Sequence, residues 1–108
     1  FGIQAERNSG YTGVWTAGRK IASIGVHARD WVTWHGFALN VSTDLSFFDL
    51  IVPCGIQAVT MTSLERELAG APKPTLAEMG SAVAEAFGDV FSLEPHDIGT
   101  GALYAAAR

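Results

Sequence analysis

The apolar residues of this chain change period once, and that change restricts the fold more than any other feature. Up to Val41 the sequence is punctuated by glycine and reads as short β-prone runs. Residues 11–16 read as a strand, 16–19 as a turn, and 20–28 as a second strand. In that strand Ile21, Ser23, Gly25 and His27 alternate with Ala22, Ile24, Val26 and Ala28. Gly18 in so short a connection predicts a hairpin. Arg29-Asp30 reads as a second turn. Residues 31–41 are β-prone again, interrupted by His35-Gly36, and a glycine inside a strand marks a bulge or a close approach of a ligand.

Past Val41 the spacing becomes helical. Asp44 is placed to cap a short helix over 45–50. Pro53-Cys54-Gly55 then reads as a tight turn. Residues 59–62 are extended, 63–68 form a short helix closed by Gly70, and Pro72-Lys73-Pro74 is a linker. Thr75-Leu76-Ala77-Glu78 is a capping box. It opens the clearest helix, with Leu76, Met79, Val83, Phe87 and Phe91 on one apolar stripe. From Glu94 the periodicity fades, and residues 105–108 read as frayed. Strands first and helices after is an α+β order.

Composition narrows the function classes. A chain of 108 residues is at most one domain and buries about 65% of its unfolded surface. The 48% apolar content supports a core, while 17% charged residues is below the usual ~25%. Such a balance predicts an unusually apolar surface, or a partner that covers some of it. Seven Lys and Arg against eleven Asp and Glu give a net charge of −4, which argues against nucleic acid as a partner. No apolar run approaches the ~18 residues of a membrane span, and no signal-peptide pattern opens the chain. The first residue is Phe1, which reads as a removed segment or a piece of a longer chain. The single Cys54 has no internal disulfide partner, and one free thiol fits a reducing compartment. Three His and one Cys without ligand spacing predict no metal site.

The stretch richest in motifs runs from Gly13 to Ser63. It contains Gly13-Val14-Trp15, the run RKIASIGV at 19–26, TWHGFALNV at 33–41, Asp44-Leu45, and IVPCG at 51–55. In this order, with 34 positions from Lys20 to Cys54, these motifs resemble the octanoyltransferases of lipoate biosynthesis, the lipoyl(octanoyl) transferase family. The resemblance implies the catalytic domain shared with biotin and lipoate ligases, an α+β sheet with helices packed against it. It implies that residues 1–108 are the C-terminal part of one such domain, its N-terminal part being absent. The family's Arg-Gly-Gly and Thr-x-His-Gly-Pro-Gly segment is expected upstream of Phe1. Family members often carry Asn where this chain has Val52. A fragment of this extent is expected to expose an apolar sheet face and to be inactive by itself.

Cys54, taken alone, reads as a small buried hydrophobe or as a nucleophile. Pro53 and Gly55 fix a turn that would hold its sulfur at a surface. The resemblance makes Cys54 the acyl-thioester nucleophile. A free thiol, with pKa near ~8.5, is mostly protonated at neutral pH, so an activating neighbour is needed. Lys20, taken alone, reads as a solvated residue at the start of a strand. The resemblance points it at Cys54, where an ammonium within ~4 Å favours the thiolate. A desolvated lysine can also exchange protons as general acid and base. His35 is the rival partner of Cys54, and by resemblance it belongs to the loop of the acyl site. Ser23-Ile24-Gly25 and Gly36-Phe37-Ala38 are, by resemblance, two walls of the substrate site. Small residues there let backbone approach a thioester and present N–H groups to an oxyanion. Read without the family, the same residues are strand packing with glycine bulges. His27 and His96 have no motif context. Asn40 and Asp44 read as turn and cap residues, and Trp15, Trp31, Trp34, Phe47 and Phe48 as core or acyl-pocket lining.

The function implied is an acyltransferase. Cys54 takes the octanoyl group from octanoyl-acyl carrier protein and passes it to a lysine of a lipoyl-domain protein, such as 2-oxoacid dehydrogenase subunits or the glycine cleavage H protein. No cofactor is implied, and neither nucleic acid nor membrane is an expected partner. The implied compartment is the bacterial cytoplasm, with the mitochondrion as alternative. Two other readings are a Cys–His hydrolase or amidase built on Cys54 and His35, and a non-catalytic binding domain of the same fold.

Overall fold

The computed structural model describes residues 1–51, 59–99 and 101. Val52, the predicted turn Pro53-Cys54-Gly55 and the tail over 105–108 lie outside the described residues. The chain divides into two units, Phe1–Lys73 and Pro74–Arg108. The order of elements is α+β, antiparallel strands first and helices after.

In the first unit β1 (Glu6–Asn8), β2 (Tyr11–Thr16), β3 (Arg19–Ile24) and β6 (Phe37–Leu39) form a sheet in the order β1-β2-β3-β6, antiparallel throughout. Strands β4 (His27–Arg29) and β5 (Val32–Trp34) pair separately as a two-stranded ribbon. The predicted hairpin at Gly18 is present. Thr16 pairs with Arg19, and Ala17 and Gly18 both take positive φ, 45° and 75°. That is the mirror-image turn whose twist suits the flanking strands.

Three strand boundaries differ from expectation. The run over 20–28 is two strands, not one. β3 ends at Ile24, Gly25 donates its N–H to the Gly36 carbonyl at 2.9 Å, and the chain then leaves the sheet. The run over 31–41 divides at His35, whose φ of 104° turns the backbone out of the pleat. The turn placed at Arg29-Asp30 lies one residue later. Asp30 and Trp31 carry the positive φ values, 52° and 63°, between the paired Arg29 and Val32. Short β1 is an addition that alternation did not reveal, because all three of its residues are exposed.

The core of this unit gathers Trp15, Ile21, Ala22, Val41, Met61 and Leu64. β3 lies between β2 and β6, so its edges are both paired. A 3₁₀ helix, Leu45–Leu50, is capped as expected by Asp44, which accepts from the Ser46 N–H at 3.0 Å. Helix α1 (Leu64–Leu68) starts at Ser63, whose hydroxyl accepts from the Arg66 N–H at 3.3 Å. It ends on two left-handed residues, Ala69 and Gly70.

The second unit is organised by α2 (Leu76–Phe91). Both halves of the predicted capping box are made: the Glu78 N–H donates to Thr75 Oγ1 at 3.2 Å, and the Thr75 N–H donates to Glu78 Oε2 at 2.7 Å. Of the apolar stripe, Met79 is buried, while Leu76, Phe87 and Phe91 are exposed. Phe87 and Phe91 stack on one another with ring centroids 4.4 Å apart.

Candidate active site

Lys20 is the most buried charged residue among those described, with 1% of its surface accessible. The plain reading of a lysine after a turn as solvated is therefore wrong here. Its burial follows from its position on the central strand β3, beside a third partner. The Lys20 N–H donates to the Thr60 carbonyl at 2.8 Å, and the Thr62 N–H donates to the Lys20 carbonyl at 2.9 Å. Lys20 and Met61 thus form a parallel bridge. In sequence Thr60 follows Cys54 by six positions, so the backbone of Lys20 is tied to the segment that continues from the cysteine motif. The Lys20 ammonium lies 5.8 Å from the centroid of the Trp15 ring, within the ~6 Å over which an indole face attracts a cation.

The same strand carries the first expected wall. Beyond Lys20 it runs through Ser23 and Ile24, and these pair with Ala38 and Phe37 in register. The Gly25–Gly36 hydrogen bond closes the series. Ser23-Ile24-Gly25 and Gly36-Phe37-Ala38, whose partners are 11 to 15 positions apart in sequence, are brought together side by side. Ser23 is half-buried, while Ile24 and Phe37 keep apolar surface open. A paired strand edge of small residues with two exposed apolar side chains can support an acyl chain along its length.

His35 lies at the end of this wall. A Cβ on Gly25 would stand 3.2 Å from His35 Nδ1, so the imidazole rests on the bare Cα of Gly25. Its φ of 104° is a conformation rarely held by a residue with a Cβ. The expected loop-shaping use of His35 agrees with this placement.

Below Lys20 a polar brace fixes the segment 59–68. Thr62 is wholly buried. Its carbonyl accepts from Asn40 Nδ2 at 3.0 Å, and its hydroxyl donates to Glu67 Oε1. Arg19 grips the same carboxylate with two bonds, Nε to Oε1 at 2.9 Å and Nη2 to Oε2 at 2.7 Å. The Arg19 guanidinium, and then the Thr62 hydroxyl, hold the Glu67 carboxyl below its ordinary range. Asn40 also accepts the Leu64 N–H at 2.9 Å and donates its own N–H to Ile21 at 3.0 Å. It is a buried brace, not the turn or cap residue that its type suggested; Asp44 alone fills that role. The bracing role of Asn40, and the parts played by Thr62 and Glu67, are not legible along the chain, because their partners are 22, 5 and 48 positions away. The one available signal was an asparagine inside a β-prone run.

Residues 1–88 match the lipoyl protein ligase A/B catalytic domain. Among curated relatives, an octanoyltransferase of Desulfovibrio desulfuricans is 48% identical over 91 residues, covering 84% of this chain and 38% of the relative. One from Acidobacterium capsulatum is 50% identical over 97 residues, covering 84% and 39%. One from Rubrobacter xylanophilus is 56% identical over 69 residues, covering 63% and 31%. The chain thus spans about two fifths of the length of the first two relatives. With 88 of its 108 residues matched to that domain, the chain belongs to the lipoyl protein ligase A/B catalytic domain family.

Proposed function

We propose that this chain is the part of an octanoyltransferase that carries the nucleophile Cys54 and the proton-transfer residue Lys20. The observation that carries the reading is a fully buried lysine on the strand that continues into the small-residue wall. The octanoyltransferase relatives, at 48% and 50% identity, support the reaction class.

The chemistry is a two-step acyl transfer. The Cys54 thiolate forms a bond to the acyl carbon of octanoyl-acyl carrier protein. The carbon–sulfur bond to the carrier breaks, and the carrier thiol leaves with a proton from the Lys20 ammonium. The amine of a lipoyl-domain lysine then attacks the same carbon. It gives its proton to the Lys20 amine, and Cys54 leaves as thiolate. The products are an octanoyl amide and the free carrier thiol, and Lys20 and Cys54 return to their starting states. Backbone at Ser23-Ile24-Gly25 and Gly36-Phe37-Ala38 faces the acyl group in this scheme, and a dry, preorganised wall favours the oxyanion of each tetrahedral intermediate. The bacterial cytoplasm is the setting we assign to it. Among the described residues no helix is long and apolar enough to cross a membrane.

Mass spectrometry of the full-length protein with octanoyl-acyl carrier protein tests the scheme. An adduct of about 126 Da on Cys54 is expected. Its absence, or its survival in Cys54→Ser, refutes the scheme. A Cys–His hydrolase would instead lose its thiol reactivity in His35→Ala and keep it in Lys20→Ala.

A further inference from the structure

The side chain of Lys20 is long and flexible, yet it is fixed in one buried place, and the sequence of β2 explains how. Val14 pairs with Ala22, and Trp15 pairs with Lys20. Ile21 is therefore an extra residue on β3, a bulge. Bulges re-aim the side chains next to them. Here the shift sets Trp15 directly across from Lys20, with both side chains on one sheet face.

The two residues of β2 nearest the lysine then shape its seat. Gly13 has φ +136°, and a Cβ built on it would lie 2.6 Å from Lys20 Cε, 3.3 Å from Nζ and 2.6 Å from the Ala22 carbonyl oxygen. The lysine stem therefore crosses the bare Cα of Gly13, in space that any side chain would take. On the neighbouring side stands the buried Trp15 ring, with its centroid 5.8 Å from Nζ. That ring is itself held in place. Its Nε1 donates to the Tyr11 carbonyl at 3.3 Å, and the Tyr11 ring meets it edge-on at 6.0 Å between centroids. The root of the lysine is pinned from the other edge by Thr60 and Thr62.

We propose that Gly13 and Trp15 are positioning residues that seat the Lys20 ammonium: Gly13 as the floor its stem crosses, Trp15 as the aromatic wall its charge faces. The inference rests on the reading that Lys20 moves the protons of acyl transfer. It assigns to β2 a part in the chemistry that neither residue performs by touching substrate.

Steady-state transfer by the full-length protein tests it, with kcat and KM for the octanoyl carrier read separately. Trp15→Leu keeps an apolar side chain, smaller than the indole, and removes the ring face; Trp15→Phe is the ring-bearing control for the lost volume. Trp15→Leu is expected to lower kcat about tenfold, with KM within about twofold. Trp15→Phe, which restores a ring face, is expected to recover most of that loss. Gly13→Ala pushes the stem away and is expected to lower kcat about 100-fold, the scale of a displacement of about 1 Å. It is also expected to expose Lys20 to an amine-acylating reagent, read by peptide mass spectrometry, whereas the wild type protects it. If Gly13→Ala does not fold, the Trp15 pair and the wild-type labelling decide. Equal kcat losses in Trp15→Leu and Trp15→Phe overturn the proposal, as does a wild-type kcat in Trp15→Leu or rapid labelling of wild-type Lys20. The two readings fail differently. A fully active Lys20→Ala removes the proton-transfer reading, and a dead Lys20→Ala beside a fully active Trp15→Leu removes the seat alone.

Discussion

Strands β3 and β4 are separated by only Gly25 and Val26, yet they occupy opposite environments. Residues Lys20, Ile21 and Ala22 of β3 are buried, while every residue of β4 and β5 is exposed. The sequences do not differ enough to account for this. Both segments are β-prone, and the ribbon holds the larger aromatic residues, Trp31 and Trp34. What differs is the number of neighbours. β3 pairs with β2 and β6 and is tied to Thr60 and Thr62 through Lys20. β4 pairs only with β5, and a two-stranded ribbon buries little. Burial in a sheet is a property of the pairing more than of the strand. The lysine sits where backbone is fixed on both sides, while among the described residues the open ribbon is held mainly by its own ladder and the His27–Trp34 stack, 4.4 Å between centroids.

The strongest test of this contrast is at Lys20 itself. In the full-length protein Lys20→Ala is expected to reduce octanoyl transfer about 10²–10⁴-fold, the range of general acid–base assistance. The measurement is single-turnover transfer from acyl-Cys54 to a lipoyl-domain lysine. A loss below tenfold would mean that the buried strand supplies scaffold and no chemistry.

The next test is the brace. Asn40→Ala leaves the buried Thr62 carbonyl without its side-chain donor. A cost of about 1–3 kcal/mol is expected, or a fall of about 5–15 °C in the melting temperature. Because the Thr62 N–H holds the Lys20 carbonyl, hydrogen exchange at Thr62 should quicken in the same variant. An unchanged melt would show that the segment over 60–62 is held by packing alone.

How much of this was legible in the sequence depended on the distance between partners. The capping box of α2 spans three positions, and Thr75 and Glu78 make both of its bonds. The turn at Ala17-Gly18 was legible for the same reason, since glycine there meets a local need for positive φ. The ribbon turn lies one residue beyond the Arg29-Asp30 expectation because its second left-handed position is filled by Trp31, a residue type that carries no turn signal. The division of 20–28 and of 31–41 depends on Gly25 meeting Gly36, a contact between strands that alternation along one strand does not encode. At the candidate site, the motif order singles out Lys20 and the two segments expected as walls, and the structure pairs those segments as neighbouring strands. The brace joins Arg19 to Glu67 across 48 positions. Short-range patterning holds no trace of it, nor of the bulge at Ile21 that sets Trp15 against Lys20.

Acid sharpens the comparison further. Glu67 titrates below its ordinary value of 4.5 in the folded chain, chiefly through Arg19 and then Thr62. Because the folded value is the lower one, the unfolded chain binds the proton more readily. The stabilisation is whole above about pH 4.5 and is lost as the pH falls from there through the folded value. Glu67→Gln is expected to lower stability at pH 7 and to flatten its dependence on pH below 4.5. Urea melts of both chains at pH 7 and pH 3.5 measure this. Equal pH slopes would place the acid sensitivity elsewhere, with the Thr75-bonded Glu78, also lowered, as the next residue to change.

The smallest effect is expected on the ribbon, and it decides whether the contrast is one of energetics or only of exposure. Trp31 is fully exposed, at 103% of its reference surface, and stands at a left-handed position of a two-residue turn. Trp31→Gly removes no buried contact and relieves the positive φ, while it adds freedom to the unfolded chain. The two terms oppose, so the melting free energy should move by less than about 0.5 kcal/mol. Trp31→Val tests the other side: a β-branched residue at positive φ is strained, and its cost should exceed that of Trp31→Gly although both delete the same exposed ring. If both variants instead lose more than Asn40→Ala, the indole carries a contact that exposure conceals, and the ribbon is anchored as firmly as the strand that holds Lys20. If only Trp31→Val is affected, the ribbon depends on its turn and not on its surface. The difference between the two regions then reduces to neighbours: one strand fixed by backbone on both edges, one ribbon fixed by the geometry of two residues.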